Sequence, residues 1–346
     1  MSIITPPIDD SSDMGQIVRS YGSKLSEPLQ GIPTGYAELD HLCHGLLPKH
    51  TIILGAETGG GKSVFAINLL VNIARLSNTK SLYLDLENGT DASARRFSKI
   101  ARGDSHILDS KVFYKDHLTL EPILQGLDSL KKAQALKDII EDYVAQKGVR
   151  VVVIDPLEEF ELVTENIAAS YTSIQQVVAL FRDLAQKLSI TVILIHHLRK
   201  TSSDAPMVKD LDADTTPKYR IPTIHDFLGS GKIVNTCTDA WCLVRQMFAL
   251  LEVDRGRTLF RVLKARETSV GDVFFQMNSE SLIFTDSSQL VEDHQPRRAR
   301  REQEAEDAQL EKEMAAVDKW LPEDKTPREE LDDIFGPVTI SEEATV

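Results

Sequence analysis

Residues 54–65 read LGAETGGGKSVF, and no other stretch limits the possible folds of this chain so tightly. Ahead of it, Thr51 to Leu54 (TIIL) is β-branched and apolar, the composition of a buried strand. Behind Lys62 the period changes, and Phe65, Ile67, Leu69, Leu70, Ile73 and Ala74 lay an apolar stripe along a helix. Three successive glycines let the backbone curl so that its N–H groups point inward. A strand, a glycine-rich turn closing on Gly61-Lys62-Ser63 and then a helix make a P-loop, which holds phosphate at a helix N-terminus. Ala56, Glu57, Thr58, Gly59, Gly60, Gly61, Lys62, Ser63 and Val64 are therefore the expected nucleotide contacts. Lys62 is expected to reach the β/γ-phosphates and Ser63 to ligate Mg²⁺. Ala56 stands where the general pattern has its first glycine, with Gly55 just ahead of it. The loop leaves adenine or guanine open.

A length of 346 residues fits one large or two medium domains. There is no signal-peptide pattern and no run of eighteen apolar residues, so a cytoplasmic protein without a membrane segment is expected. Cys43, Cys237 and Cys242 are scattered and form no CxxC pair, which argues against zinc and against a disulfide framework. The net charge of −14 is unevenly placed: residues 292–346 carry 17 acidic and 8 basic side chains, so most of it lies in the tail. An acidic total usually counts against nucleic-acid binding; here the body is left free to present a local basic surface.

The expected organisation is an N-terminal arm (1–27), a nucleotide-binding body (28–290) and an acidic tail (291–346). In the arm, Met14 to Tyr21 reads as a short helix that either frays or packs on a neighbouring subunit. A short helix holding Tyr36, Leu39 and Leu42 leads into the P-loop strand. Further strands are expected at Ser81 to Leu86, Arg150 to Ile154 and Ile190 to Ile195, with helices through Arg95, Arg96 and Lys99, over residues 123–146 and over Ile167 to Leu188. Residues 199–223 read as a long polar loop, too long to be an idle connection. Then come a short helical passage at 224–234, a strand at Ala240 to Arg245, a strand pair at Thr258 to Lys264 and Asp272 to Gln276, and a last strand at Ser281 to Phe284. Alternating strands and helices around a P-loop imply an α/β fold with a mostly parallel sheet, helices on both faces and ligands beyond the strands' C-terminal edge. The tail reads as either a solubilising segment or a docking motif around Leu331 to Phe335.

The strand ends supply candidates for the chemistry of a triphosphate. Asp155, after VVVI, is placed as the carboxylate that holds the Mg²⁺ water shell. Glu87 ends the second strand and is a candidate to polarise the attacking water, with Glu158 and Glu159 as rivals. His197 ends the fourth expected strand, beside the P-loop strand, where it can sense the γ-phosphate; His196 should then face the other way. Lys264 and Arg266, two residues apart in RVLKARE, are expected to share a strand face and to reach a neighbour's triphosphate. Arg199, Lys200, Lys209, Lys218 and Arg220 lie in the long loop among acidic residues; repeated around a ring, such cations track a phosphate backbone.

Taken together, these segments resemble the RecA-like ATPase motor domain of DnaB-type hexameric replicative helicases, in particular the phage primase-helicase and mitochondrial branch. GIPTGYAELDHLCHGLLPKHTIILGAETGGGKSVF is similar to that family's lead-in and phosphate loop, including Ala56. YLDLENG resembles the strand whose glutamate activates water, favouring Glu87, and VVVIDPLEEF resembles the metal-holding segment. ILIHHLRK is similar to the phage form, with His197 as phosphate sensor. HDFLGSGKIVNTCTDAW resembles the segment whose polar residue, here Asn235, couples nucleotide state to the DNA loops, although its spacing to Asp239 is one residue longer. RVLKARET resembles the trans-acting strand, with Arg266 as finger and Lys264 as companion. The resemblance covers residues 28–284 and implies a hexameric ring around single-stranded DNA, ATP and Mg²⁺ between subunits, 5′–3′ movement, and a tail that recruits a polymerase, primase or other replisome protein. It places the chain in the cytoplasm of a bacterium or a phage-infected host. A filament-forming RecA/RadA-like recombinase or mediator, and an ATP-switched assembly factor without unwinding activity, are the competing readings.

Overall fold

The structure, a computed structural model, describes residues 14, 15, 18, 29–160, 167–198, 207–209, 218–220, 222–227, 231–246 and 255–286. For 167–171, 207–209, 218–220, 231 and 232 the description is of the backbone alone. Of two compact units, the described residues fall in the one formed by Met1–Ala249 with Asp254–Val291. The acidic tail, including Leu331 to Phe335, lies outside the described residues, as do Arg199 and Lys200. In the arm, Met14, Gly15 and Val18 are helical, and the rest of the expected 14–21 helix lies outside them.

In chain order the elements are α1 (Ala37–Cys43), β1 (Thr51–Ala56), α2 (Lys62–Leu76), β2 (Lys80–Asp85), α3 (Thr90–Ile100), β3 (Val112–Asp116), α4 (His117–Leu124), α5 (Ser129–Lys147), β4 (Val149–Asp155), α6 (Ile167–Leu188), β5 (Thr191–His197), β6 (Met207–Lys209), β7 (Lys218–Arg220), α7 (Gly231–Thr236), β8 (Asp239–Arg245), β9 (Arg257–Lys264), β10 (Gly271–Met277) and β11 (Phe284–Asp286). Nine strands form one sheet in the order β11-β10-β9-β8-β1-β5-β4-β2-β3. The six from β8 to β3 run parallel, and β9, β10 and β11 extend the sheet antiparallel.

Side chains alternate across β1, so its two faces feed two cores. Ile52, Leu54 and Ala56 join the core that holds α1, α2 and α3, whereas Ile53 joins the one under α4, α5, α6 and α7. The phosphate-loop helix α2 is anchored in the first core by Phe65, whose ring lies 5.2–5.7 Å from those of Tyr36, Phe260, Phe275 and Phe284. Replacing such a buried ring by alanine costs about 3–5 kcal/mol, and here that support sits one turn from Lys62.

Several expectations need correcting. Val112–Asp116 is a strand that the hydrophobic pattern does not announce, so the histidine-bearing strand is fifth in chain order. The single helix expected over 123–146 is two. Gly126 adopts φ +73°, and Asp128 caps α5 by accepting the Lys131 N–H. The last strand is Phe284–Asp286 rather than 281–284. The 199–223 segment contains a short antiparallel pair, β6 with β7, in which Lys209 stands opposite Lys218 and Arg220 opposite Met207.

Candidate active site

The P-loop geometry follows from its glycines. Gly59 and Gly61 hold φ of +78° and +91°, a region that other residues enter only with strain. At Gly60 an added Cβ would lie 2.9 Å from both the Ala56 Cβ and the Glu57 carbonyl. The Gly60 N–H donates to the Glu57 carbonyl (2.9 Å), which closes the turn. Helix α2 starts at Lys62 directly after Gly61, so its unpaired N–H groups face the loop.

The parallel strands bring the remaining candidates to the same edge. His197 is level with Ala56 across β1 and β5, and Asp155 is level with Asp85 across β4 and β2. Lys62 is 6% exposed; its Nζ donates to the Ala56 (3.1 Å) and Glu57 (3.3 Å) carbonyls and stands 3.0 Å from His197 Nδ1. Burial lowers the Lys62 pKa against the pull of Glu158, Asp155 and Glu87. The His197 pKa is also lowered, chiefly by burial and further by Lys62. A neutral imidazole accepting from Lys62 at Nδ1 carries its proton on Nε2, which makes that nitrogen a donor. Thr58 Oγ1 lies 3.5 Å from the same Nδ1.

Asp155 is 2% exposed, and burial pushes its carboxyl up to about 6 against hydrogen bonds from Ser63 and Tyr83. Ser63 and Asp155 thus meet as paired oxygen donors, the set that suits Mg²⁺. With the loop's curled backbone and Lys62 beside them, these residues fit a Mg²⁺–nucleoside triphosphate. Among the described residues no cluster of three or more His, Cys, Asp or Glu side chains could hold a metal ion, so the fit rests on this oxygen pair with phosphate completing the shell.

The three candidate glutamates separate. Glu158 is committed: its Oε1 lies 2.7 Å from His196 Nδ1 and accepts the His197 backbone N–H. Burial opposes its charge, but these contacts hold its pKa below the ordinary value. Glu159 and Glu87 are exposed. Glu87 acts electrostatically on both Lys62 and His197 and sits on a turn pinned from below by Asp85, which accepts from the N–H groups of Glu87 (3.3 Å) and Asn88 (2.8 Å). Ser93 and Tyr114 also donate to Asp85. Asp85 and Tyr83 are the site residues that sequence reading passed over, and Glu158, weighed only as a rival water-polarising group, braces the histidine strand instead. The Asp at the end of SLYLD was visible, but nothing in the pattern announces its partners.

His196 faces the opposite side from His197, as alternation requires. It is fully buried, and its ring stacks on Phe227 (6.3 Å, 19° between planes). Lys264 and Arg266 do not share a strand face, because β9 ends at Lys264. Lys264 Nζ donates to the carbonyls of Val234 (2.8 Å), Asn235 (3.1 Å) and Cys237 (2.6 Å) at the C-terminal end of α7, where a cation is favoured. Arg266 follows in an exposed turn. Through β8, Lys264 is level with Ile53 of β1, and the antiparallel course of β9 carries Arg266 further from the loop. Lys264, three residues of strand back from Ala56, is thus about 10 Å from it along the strand direction, and Arg266 follows in the turn at the sheet edge opposite the P-loop. Asn235 is exposed and tied to this strand through its carbonyl. Lys209, Lys218 and Arg220 are placed by backbone pairing alone.

The AAA domain model AAA_25 matches residues 23–203, just over half of the chain. A probable replicative DNA helicase of Trieres chinensis is 24% identical over 213 residues, 57% of this chain and 47% of that protein. The chain therefore spans about half the length of that curated relative. Among solved structures, an isolated ATPase domain superposes with TM-score 0.60 at 19% identity, over 80% of this chain and 99% of that one. A DnaB-like replicative helicase, described with its primase interactions, superposes with TM-score 0.58 at 18% identity, over 81% and 67%. At these identities the structural likeness is one of fold, a RecA-like P-loop ATPase. No helix among the described residues is long and apolar enough to cross a membrane.

Proposed function

The chain belongs to the AAA_25 family of AAA domains and carries a DnaB-like RecA fold, and from that premise we propose that it is a Mg²⁺-dependent ATPase that moves 5′ to 3′ along single-stranded DNA and opens a replication fork. The body that does this is residues 28–290, assembled as a hexameric ring with ATP between adjacent copies. In this reading the loop amides and Lys62 bind the β/γ-phosphates, and Ser63 and Asp155 hold the metal. Mg²⁺, when bound, neutralises charge on the transferred phosphoryl group. Glu87 orients and deprotonates the attacking water, and His197 offers its Nε2–H to the γ-phosphate. Asp85 keeps the Glu87 turn in place, and Tyr83 holds the Asp155 carboxylate. Arg199, Lys200, Lys209, Lys218 and Arg220 face DNA at the ring's centre, Asn235 relays nucleotide state towards them, and the acidic tail docks a polymerase, primase or other replisome protein.

The observation that carries this reading is the position of Arg266. Its turn lies at the edge opposite its own P-loop, so an arginine aimed at a triphosphate serves a neighbouring copy. The test is ATP turnover with and without single-stranded DNA, together with opening of a forked duplex carrying a 5′ tail. DNA-stimulated turnover with unwinding is expected. Turnover without unwinding on either polarity of fork would transfer the chain to the recombinase or assembly-factor reading.

A further inference from the structure

Both ends of the 199–226 segment are fastened to the strand that carries the P-loop. Leu198, at its start, donates its N–H to the Ala56 carbonyl (2.9 Å). Phe227, at its end, pairs with Leu198 as an isolated antiparallel bridge and is fully buried. The Phe227 ring fills the space beside Gly55. A Cβ at Gly55 would fall 2.6 Å from Phe227 Cε1 and 2.8 Å from Leu198 Cδ2. Contacts that short require the ring, the Leu198 side chain or the strand to shift. On its other side the same ring stacks on His196. His196 is paired with Glu158, and Glu158 accepts the backbone N–H of His197, which faces Lys62. A contiguous set of contacts therefore runs from the phosphate-facing Lys62–His197 pair to the base of the loop.

We infer that Phe227 is a positioning residue, keyed into the slot that Gly55 leaves open, and that this joint transmits nucleotide state from the P-loop strand to the 199–226 segment. The inference rests on the reading of that segment as the DNA-contacting loop. Absence of a side chain at residue 55 is then a requirement of the joint and not of phosphate binding. The contacts of Phe227 with Gly55, Leu198 and His196 are to residues outside the set placed on the triphosphate, so its loss should spare the chemistry and uncouple it from DNA.

The experiment measures the ratio of DNA-stimulated to basal ATP turnover in the full-length protein. Gly55→Ala is expected to lower that ratio about tenfold. Adding Phe227→Leu, which removes the 2.6 Å clash and leaves room for the flexible Leu198 side chain to swing aside, should restore most of it, whereas Phe227→Leu alone should leave basal turnover unchanged. Rescue shows that the two positions act through their mutual contact, and loss of the DNA-stimulated ratio at unchanged basal turnover in the Phe227 variant separates the joint from a general distortion of the strand. If Gly55→Ala proves unable to fold, Phe227→Ala supplies the same test from the other side, with basal turnover kept and the ratio lost. A second readout needs no DNA: the tryptic cleavage rate within residues 199–220, followed with and without a non-hydrolysable ATP analogue. It should respond to nucleotide in the wild type and not in Gly55→Ala. An equal response in both proteins, or a failure of Phe227→Leu to rescue, overturns the joint. A wild-type protein whose turnover ignores DNA, while its cleavage still responds to nucleotide, overturns the DNA-loop reading and leaves the joint standing.

Discussion

Lys264→Met isolates a cation seated on the C-terminal end of α7. The ammonium donates to the Val234 and Cys237 carbonyls at 2.8 and 2.6 Å and to the Asn235 carbonyl at 3.1 Å. Methionine keeps the unbranched stem and its packing and removes only the charged head. A hydrogen bond from a charged donor contributes about 1.5–3 kcal/mol net, and the bond to the exposed Asn235 carbonyl counts for little. Two effective bonds, partly offset by water that reaches the freed carbonyls, give a loss of about 3 kcal/mol. At about 2–4 °C per kcal/mol for a domain of this size, the thermal midpoint should fall by about 6–12 °C. The assay is thermal unfolding followed by circular dichroism without nucleotide, with ATP turnover measured in parallel below the transition. A midpoint within about 2 °C of wild type, combined with collapsed turnover, would refute the assignment to α7 and place the ammonium on a triphosphate instead.

Three further outcomes are expected. Glu87→Gln should reduce turnover by about 10²–10⁴-fold while nucleotide affinity, read by a fluorescent ATP analogue, stays close to wild type; equal turnover would return the role to Glu159. Arg266→Ala should cost about 10³-fold or more in turnover with binding retained, and mixing it with a Lys62→Ala protein should recover activity, since some interfaces then pair an intact loop with an intact finger. His50 is buried between Asp239 (2.5 Å) and Glu267 (3.5 Å). Burial pulls its pKa down, but the two carboxylates outweigh it and raise the pKa. Its contribution to stability is therefore fully present below about pH 6.5, the unfolded value, and fades as pH rises through the raised folded pKa. The stability gap between wild type and His50→Asn, measured by urea unfolding, should shrink from about pH 6.5 upward; a gap that widens with pH would contradict this.

The parts of the fold governed by local periodicity were legible in the sequence. The β1–P-loop–α2 unit, β4 ending at Asp155 and α6 over Ile167–Leu188 stand where apolar spacing puts them. Strand β3 escaped because Val112, Phe113, Tyr114 and Lys115 are all half-buried at the sheet's edge, where neither alternation nor a continuous apolar run develops. The break between α4 and α5 did have a signal, Gly126 with the capping Asp128, but a continuing apolar stripe on both sides masks it. At the site, residue types at strand ends pointed to Glu87, Asp155 and His197, since a parallel sheet delivers those ends to one edge. Their supports were invisible, because Tyr83–Asp155, Glu158–His196 and Lys264–α7 join residues 30 to 72 positions apart. The shared face predicted for Lys264 and Arg266 failed for a simple reason: alternation holds only while the strand lasts.

The last three-residue strand has a mechanical consequence. Phe284 donates its N–H to the Asn68 side chain in α2, Asn68 donates to the Leu282 carbonyl, and the Phe284 ring lies 3.4 Å from where a Cβ on Gly61 would be. Strand β11 is therefore stitched on two sides, to β10, where Asp286 is level with Phe275, and to the first turns after the phosphate loop. Displacing this short strand disturbs Asn68 and the Gly61 turn of the phosphate loop together with β10 at the sheet's edge.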